Sequence, residues 1–438
     1  MESRSPREPV SVLRALPAGQ RVEVRDSNGQ TWTGTIVPTH ELSGARIVSL
    51  KLESGYNVGV AIDGATTFRL LDTPVHRPPV DLTPSASSAN EGANGWVTLL
   101  TTGGTIASRV DYDTGGVRPV SDAKEILAFY PELERSGPVK VVPVFDRLSE
   151  DVGPEDWLVL ANRVVEAFQG GARGVVIAHG TDTLGFTAAG LSFLLADLPG
   201  PVVMVGAQRS PDRPSSDGPS NLEAAAAVAR DRRIGEVVVV MHSGPSDDRF
   251  TVHRGTWVRK MHSSRRDAFE SRNGPPLGEV ESGKIHLLPI VRPPGHGPAR
   301  VDGPIDPRAG LLWFYPGLTV ERARAFSEGL RGVVLAGTGL GHVRSELIEW
   351  VRSLTAGGVV VAMTTQCLEG GADPYVYATG RKLLRAGTIY LDDLLPETAY
   401  AKIVWALGRS SDPDGVRALL AEDRAGEFLR RHRPEAEA

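Results

Sequence analysis

The sequence predicts an α/β protein: a small N-terminal β-barrel followed by a two-domain body of parallel sheets flanked by helices. Three observations predict it. Residues 10–72 carry short, alternating, β-branched runs broken by Gly turns, the pattern of a small barrel. From residue 96 onward, continuous apolar runs alternate with helical stretches, which indicates parallel strands covered on both faces. Two Pro/Gly-rich stretches divide the chain into three units.

Residues 1–78 form the β-barrel module. RVEVRDSNGQTWTGTIV reads as two strands about a turn at Asn28-Gly29, and RIVSLKLESGYNVGVAI repeats the pattern about Ser54-Gly55. A unit of about 60 residues has a marginal core and leans on something else. It holds no catalytic cluster and reads as a docking or specificity module. Residues 79–95, PVDLTPSASSANEGANG, are a linker of small polar residues and proline. Residues 96–285 form an α/β domain with strands in WVTLLTT, VKVVPVF, RGVVIAHG, GPVVMVGA and GEVVVVMHS. Between them lie helices such as PEDWLVLANRVVEAFQ, with Pro154 near its start and acids in its first turn. In such sheets the chemistry sits at the carboxyl ends of the strands. A second linker spans 286–308. A smaller α/β domain, 309–438, alternates RGVVLAGTG, GVVVAMTTQ and GTIYLDD with helices such as VRSELIEWVRSL, and its charged tail frays at the end.

Composition excludes several function classes. The chain has 438 residues, 41% hydrophobic and 23% charged, a globular balance. Its 48 basic and 53 acidic residues give a net charge of −5, which argues against a chain that grips nucleic acid by itself. No run of about 18 apolar residues is present and MESRSPREPV lacks an apolar core, so neither membrane span nor secretory signal is expected, and the cytoplasm is the expected compartment. Cys367 is alone, which rules out an intrachain disulfide or a Cys-based zinc site. Only seven of the basic residues are lysines, so a Lys in a polar cluster stands out.

Four clusters follow apolar strands. Thr101-Thr102-Gly103-Gly104-Thr105 places hydroxyls and bare backbone N–H groups at a strand tip. That suits a nucleophile beside an oxyanion hole, a phosphate-binding turn, or a plain tight turn. His179-Gly180-Thr181-Asp182-Thr183 sets a hydroxyl beside a carboxylate, for chemistry or as a helix N-cap. RGTWVRKMHSSRRDAFES holds Lys260, a base among the positive surroundings of Arg259, Arg265 and Arg266, or a member of a solvated basic loop. Gly206-Ala207-Gln208-Arg209-Ser210, then Ser216-Asp217-Gly218-Pro219-Ser220-Asn221-Leu222, is a polar loop entering a helix.

Taken in order, these four motifs resemble the bacterial-type L-asparaginase family over about residues 96–408. The resemblance implies an asparaginase-like body with Thr102 as nucleophile and Tyr112, in SRVDYDTGGV, as the tyrosine of a flexible loop. It implies a relay of Thr181, Asp182 and Lys260 that activates a water or hydroxyl. Ser149 and Glu150, with help from Asp182, match the segment that holds the substrate's α-amino and α-carboxylate groups. Backbone N–H groups near Gly103 and Thr181 suit the oxyanion. No metal or organic cofactor is implied for this chain. A dimer is implied, with an acidic residue from the neighbouring protomer completing each site, and TTQCLEGGADPY is where such a contact would arise.

About 95 residues precede the first motif, and the whole chain resembles the family of D subunits of archaeal glutamyl-tRNA(Gln) amidotransferases. That implies a glutaminase that passes ammonia to a partner, the E subunit, in a heterotetramer where this chain dimerises. The partner binds Glu-tRNA(Gln), activates the glutamyl carboxylate with ATP and Mg²⁺, and accepts the ammonia from L-glutamine. The alternatives are a free-standing cytoplasmic L-asparaginase with an accessory domain, and a non-catalytic scaffold on the same fold.

Overall fold

The computed structural model describes residues 12–13, 16, 19–37, 46–52, 57–71, 95–104, 108–110, 117–119, 130, 133, 137–209 and 216–429. Tyr112, the Ser54-Gly55 turn, positions 79–94 of the linker and the tail beyond 429 lie outside them.

Five strands make the N-terminal unit: β1 (Arg21–Arg25), β2 (Thr31–Val37), β3 (Ile47–Leu52), β4 (Asn57–Ala61) and β5 (Thr67–Leu70). They pair antiparallel in the order β4-β3-β2-β1-β5. Alternation puts Val22, Val24, Val48 and Leu50 inside. The β1–β2 turn is fixed by Asp26, whose Oδ1 accepts from Asn28 N and Gln30 N, both at 2.9 Å, while Gly29 takes a φ of 77°.

The body begins with β6 (Trp96–Thr101). A two-stranded ribbon follows, β7 (Ser108–Val110) and β8 (Val117–Pro119), then β9 (Val139–Pro143). Helix α1 (Pro154–Gln169), β10 (Ala172–Ala178), α2 (Leu184–Leu194), β11 (Leu195–Ala196), β12 (Val202–Val205), α3 (Gly218–Ala229) and β13 (Val237–His242) complete the alternating part. After these come β14 (Arg249–Arg254), β15 (Val258–Lys260), β16 (Phe269–Ser271), β17 (Gly278–Glu281), β18 (Lys284–Leu287) and β19 (Arg300–Val301). Eight strands form one sheet, ordered β18-β17-β14-β13-β12-β10-β6-β9. The five from β13 to β9 run parallel, and β14, β17 and β18 extend them antiparallel. The chain leaves β6 toward β9 and leaves β10 toward β12, so the connections diverge between β6 and β10. A crevice opens at the carboxyl ends of strands at such a point.

Helix α1 shows how the sheet is covered. Trp157, Leu160, Ala161 and Val164 fall on one face at helical spacing and are buried. Its first turn is set by Pro154 and by Asp156, which accepts from Gly153 N at 3.0 Å and pairs with Arg147 at 2.7 Å.

The C-terminal domain has a parallel sheet of β20 (Ala309–Trp313), β21 (Gly332–Gly337), β22 (Val360–Thr365) and β23 (Ile389–Tyr390). Its helices are α4 (Val320–Ser327), α5 (Leu347–Ala356), α6 (Ala378–Arg385), α7 (Pro396–Arg409) and α8 (Pro413–Ala421). Helix α7 packs on α2 of the preceding domain, with Trp405 stacked on Phe193 at 6.1 Å and Tyr400 edge-on to Trp157 and Phe186. Both domains therefore share one continuous core. Among the described residues no helix is long and apolar enough to cross a membrane.

A fully buried ion pair pins the end of the chain to α7. Lys402 Nζ lies 2.6 Å from Glu427 Oε1, with neither side chain exposed, and also donates to Leu420 O at 2.8 Å. Burial opposes ionisation of Glu427, but the Lys402 ammonium outweighs it and holds the carboxyl below its ordinary value. The carboxylate's contribution is thus present above the unfolded carboxyl range and lost as pH falls. Glu427→Ala is expected to lower stability by about 3–5 kcal/mol, because it leaves a buried charge unpaired. Urea unfolding checks this. The double variant Lys402→Met/Glu427→Leu should lose much less, and an equal loss would mean that packing, not charge, dominates.

Candidate active site

The point of divergence between β6 and β10 is built from interlocking turns. Thr102 follows β6, is 1% exposed, and donates both N–H and Oγ1–H to Ala178 O, at 3.1 and 3.0 Å. Gly103 and Gly104 then adopt φ of 91° and 75°. A Cβ at Gly103 would lie 2.6 Å from the Arg147 backbone N and O, and one at Gly104 would lie 2.6 Å from Gly180 Cα. The paired glycines thus serve the positive φ and the close approach together.

Ser149 opens a short 3-10 turn, Ser149–Asp151, beyond β9, and is 4% exposed. Its carbonyl accepts from Thr183 Oγ1 at 2.5 Å, which ties the β9 exit to the β10 exit. Glu150, beside it, is exposed.

His179 is fully buried, with Nδ1 2.7 Å from Gly180 O and Nε2 3.1 Å from Thr187 Oγ1. Because a carbonyl only accepts, Nδ1 carries the proton and Nε2 accepts from Thr187. Burial brings its pKa down to about 4, so the ring is a neutral brace behind the turn.

Lys260 ends β15, whose hairpin with β16 pairs Lys260 with Phe269. Its Nζ donates to Thr181 Oγ1 and to Asp182 Oδ1, each at 2.8 Å. The lysine side chain is 13% exposed while that of Asp182 is 67% exposed, so the ammonium is shielded and the carboxylate meets solvent. The solvated-loop alternative for Lys260 does not hold. The His179–Thr183 motif does supply the N-cap of α2, at Thr183 and without a side-chain cap bond, while Thr181 and Asp182 face Lys260.

The expected positive surroundings of Lys260 require correction. Arg259 pairs with Glu397 of α7 at 3.2 Å, Arg265 with Asp267 at 2.5 Å, and Arg266 with Asp247 at 3.0 Å. Each guanidinium meets a carboxylate, which Arg266 shares with His242, and sequence proximity reveals only Asp267 among these acids.

The structure brings Thr102, Gly103, Ser149, Thr181, Asp182 and Lys260 to one sheet edge, and Tyr112 lies outside the described residues. It also shows what the polar loop after β12 does. Asp217 is fully buried and accepts from Gln208 N and Arg209 N at 2.9–3.1 Å, while Asn221 Nδ2 donates to Gly206 O at 3.0 Å. Gly206 in turn backs Thr181: a Cβ there would lie 2.6 Å from Thr181 Cγ2. The Gly-Ala-Gln-Arg and Ser-Asp-Gly-Pro-Ser-Asn order was the available signal, but nothing in it says which atoms meet. The segment Gln366–Gly371 sits beside the Lys260 hairpin of its own chain, through Arg272–Glu369 at 2.6 Å and Gly370 N to Asn273 Oδ1 at 2.8 Å. Among the described residues no group of three or more His, Cys, Asp or Glu is placed to hold a metal ion.

Comparison with known proteins agrees along the chain. Residues 96–290 match the family described as Asparaginase, N-terminal, residues 308–420 the Glutaminase/Asparaginase C-terminal domain, and residues 16–71 the GatD N-terminal domain. The chain is 43% identical over 410 residues to the D subunit of glutamyl-tRNA(Gln) amidotransferase from Pyrococcus furiosus, covering 93% of each. It is 42% identical over 430 residues to the protein of that name from Saccharolobus islandicus, covering 95% of this chain and 94% of that one. Among solved structures, the thermostable L-asparaginase from Thermococcus kodakarensis aligns with a TM-score of 0.69 at 34% identity, covering 76% of this chain and 99% of that one. The chain therefore belongs to the family of glutamyl-tRNA(Gln) amidotransferase D subunits, whose body is asparaginase-like.

Proposed function

We propose that this chain is the glutaminase component of a tRNA-dependent amidotransferase and that it supplies ammonia to a partner protein. The observation that supports the reading is Lys260 Nζ donating to both Thr181 Oγ1 and Asp182 Oδ1, directly after the Gly180 backbone that packs on the Thr102 turn at Gly104. Thr102 Oγ1 leaves its contact with Ala178 O and attacks the side-chain amide carbon of glutamine. Its proton passes to the Thr181–Lys260 relay. The relay passes that proton to the amide nitrogen as the C–N bond breaks, and ammonia leaves. Water, activated by the same relay, then hydrolyses the acyl-threonine and releases glutamate. Backbone N–H groups near Gly103 and Thr181 face the oxyanion. Ser149, Glu150 and Asp182 hold the amino-acid end of the substrate, and Tyr112 is a further catalytic residue. No metal or cofactor takes part in this chain's step. The partner, the E subunit, binds Glu-tRNA(Gln) and uses ATP and Mg²⁺ to activate the glutamyl group that takes up the ammonia.

The chain acts in the cytoplasm as a dimer within a heterotetramer. Support for self-association comes from an exposed apolar set on the C-terminal domain: Trp313, Tyr315, Leu368, Tyr375, Val376 and Tyr377, each 38–59% exposed. A free-standing L-asparaginase is the second reading, favoured by the likeness of the body to solved asparaginases. The N-terminal unit, matched by the GatD N-terminal domain, favours the first.

Ammonia release from glutamine and asparagine decides between them, measured with and without the E subunit carrying Glu-tRNA(Gln). Glutamine turnover is expected to rise with the partner and to yield Gln-tRNA(Gln). Full asparagine turnover that ignores partner and tRNA would establish the free amidohydrolase.

A further inference from the structure

A buried polar chain touches both flanks of the Thr181–Lys260 contact. Asn221, in α3 and fully buried, donates through Nδ2 to Gly206 O at 3.0 Å and to Asp217 Oδ2 at 3.2 Å. These two acceptors fix the orientation of the amide, so its Oδ1 faces His242 Nδ1 at 2.6 Å. An amide oxygen cannot donate, and His242 Nδ1 therefore carries a proton. On the other side of the ring, Nε2 lies 2.8 Å from Asp247 Oδ1, which also accepts from Ser220 Oγ at 3.2 Å and from Arg266 Nη1 at 3.0 Å. Partial burial opposes ionisation of Asp247, but His242 and Arg266 outweigh it and hold the carboxyl below its ordinary value. A carboxylate cannot donate either, so Nε2 carries a proton as well. The ring is fully buried at the end of β13 and meets Phe250 edge-on, with centroids 4.8 Å apart.

We propose that His242 is a positioning residue for the Thr181–Lys260 contact, held as an imidazolium between Asn221 and Asp247. This deepens the glutaminase reading and rests on it for its kinetic consequence. One end of the chain seats Gly206, the wall against which Thr181 packs. The other end fixes Arg266, in the loop that leaves Lys260 and returns through Met261 N to Ala268 O at 2.6 Å. The two halves of the relay come from β10 and from the β15–β16 hairpin, which do not pair with each other. A charged chain through His242 gives them a common reference. The imidazolium also places a positive charge in the chain Asp217–Asn221–His242–Asp247, between its two carboxylates.

The test uses the full chain with its partner protein and two variants, His242→Ala and Asp247→Ala. The Asp247 side chain is 59% exposed, but its loss strands the buried imidazolium, so urea unfolding accompanies the kinetics. Asp247→Asn, which keeps the volume and an acceptor oxygen, is the milder companion and should show the same fall in kcat with the fold retained. In both variants kcat for ammonia release from glutamine should fall about 10- to 100-fold with KM within about twofold, because neither residue touches substrate. Nitrogen NMR of the chain labelled at histidine and lysine gives a readout independent of turnover. In the unsubstituted protein both ring nitrogens of His242 should be protonated, and Asp247→Ala should shift the Lys260 Nζ signal. A His242 ring with one protonated nitrogen, an unmoved Lys260 signal, or unchanged kcat in folded Asp247→Ala overturns the proposal. Absence of ammonia release from the unsubstituted complex would overturn the glutaminase reading instead, while the spectra still decide the state of His242.

Discussion

Thr102→Ala is expected to abolish ammonia release from glutamine, a fall of about 10⁴-fold or more, with the fold intact. The scale follows from chemistry: no neighbouring group on β6 replaces a lost nucleophile, since Gly103 and Gly104 follow and Thr101 lies within the strand. The stability cost is small by comparison. Among the described residues Thr102 Oγ1 makes one buried hydrogen bond, to Ala178 O, and that carbonyl keeps Thr102 N as a donor at 3.1 Å. Loss of a single bond of this type is worth about 1 kcal/mol. Circular dichroism and urea unfolding should thus show a folded protein within roughly that margin, while single-turnover assays find no acyl-enzyme. Thr102→Ser should keep measurable turnover. Substantial ammonia release by Thr102→Ala would move the nucleophile to Thr181, whose hydroxyl already meets Lys260.

Much of this was legible in the sequence because two signals coincide. Apolar runs such as GVVIA and VVMVG specify buried parallel strands, and hydroxyls with paired glycines directly after them have no packing role in a strand. That combination marked the Thr101–Thr105 and His179–Thr183 turns as candidates at the sheet edge, and the resemblance to the asparaginase family implied the roles of Thr102 and Thr181 within them. Lys260 was legible for a different reason, its rarity among arginines. What stayed hidden depends on side chains from distant parts of the chain. Arg259 and Glu397 are separated by more than a hundred residues, and only the packing of α7 on α2 brings them to 3.2 Å. The Arg259-Lys260 and Arg265-Arg266 run looks like a field that would act on the lysine, yet each guanidinium is answered locally. Asn221 and His242 are similar cases: a polar helix entry and a strand-end histidine, uninformative apart, become one hydrogen-bonded chain once β12 and β13 are neighbours.

Lys260→Met is expected to lower kcat by about 10²- to 10⁴-fold, the range for loss of a positioned proton-transfer group. Met keeps most of the unbranched stem, and the Lys260 side chain is 13% exposed, so the packing beneath the relay is retained. What disappears is the one donor that bridges Thr181 Oγ1 and Asp182 Oδ1. The stranded carboxylate costs little, because the Asp182 side chain is 67% exposed and remains solvated. Stability should therefore change by less than about 1 kcal/mol while the rate collapses, a separation that a purely structural lysine cannot produce. Lys260→Arg should not rescue the rate: a guanidinium carries its charge in a wider planar fork and does not give up a proton. Substrate affinity is a second discriminator. Asp182 is proposed to hold the amino-acid end of glutamine, so freeing it from Lys260 should leave KM within a few-fold of its original value. Near-normal kcat in a folded Lys260→Met protein would make the lysine a tie between β15 and β10, and the proton from Thr102 would then need another acceptor at the same edge.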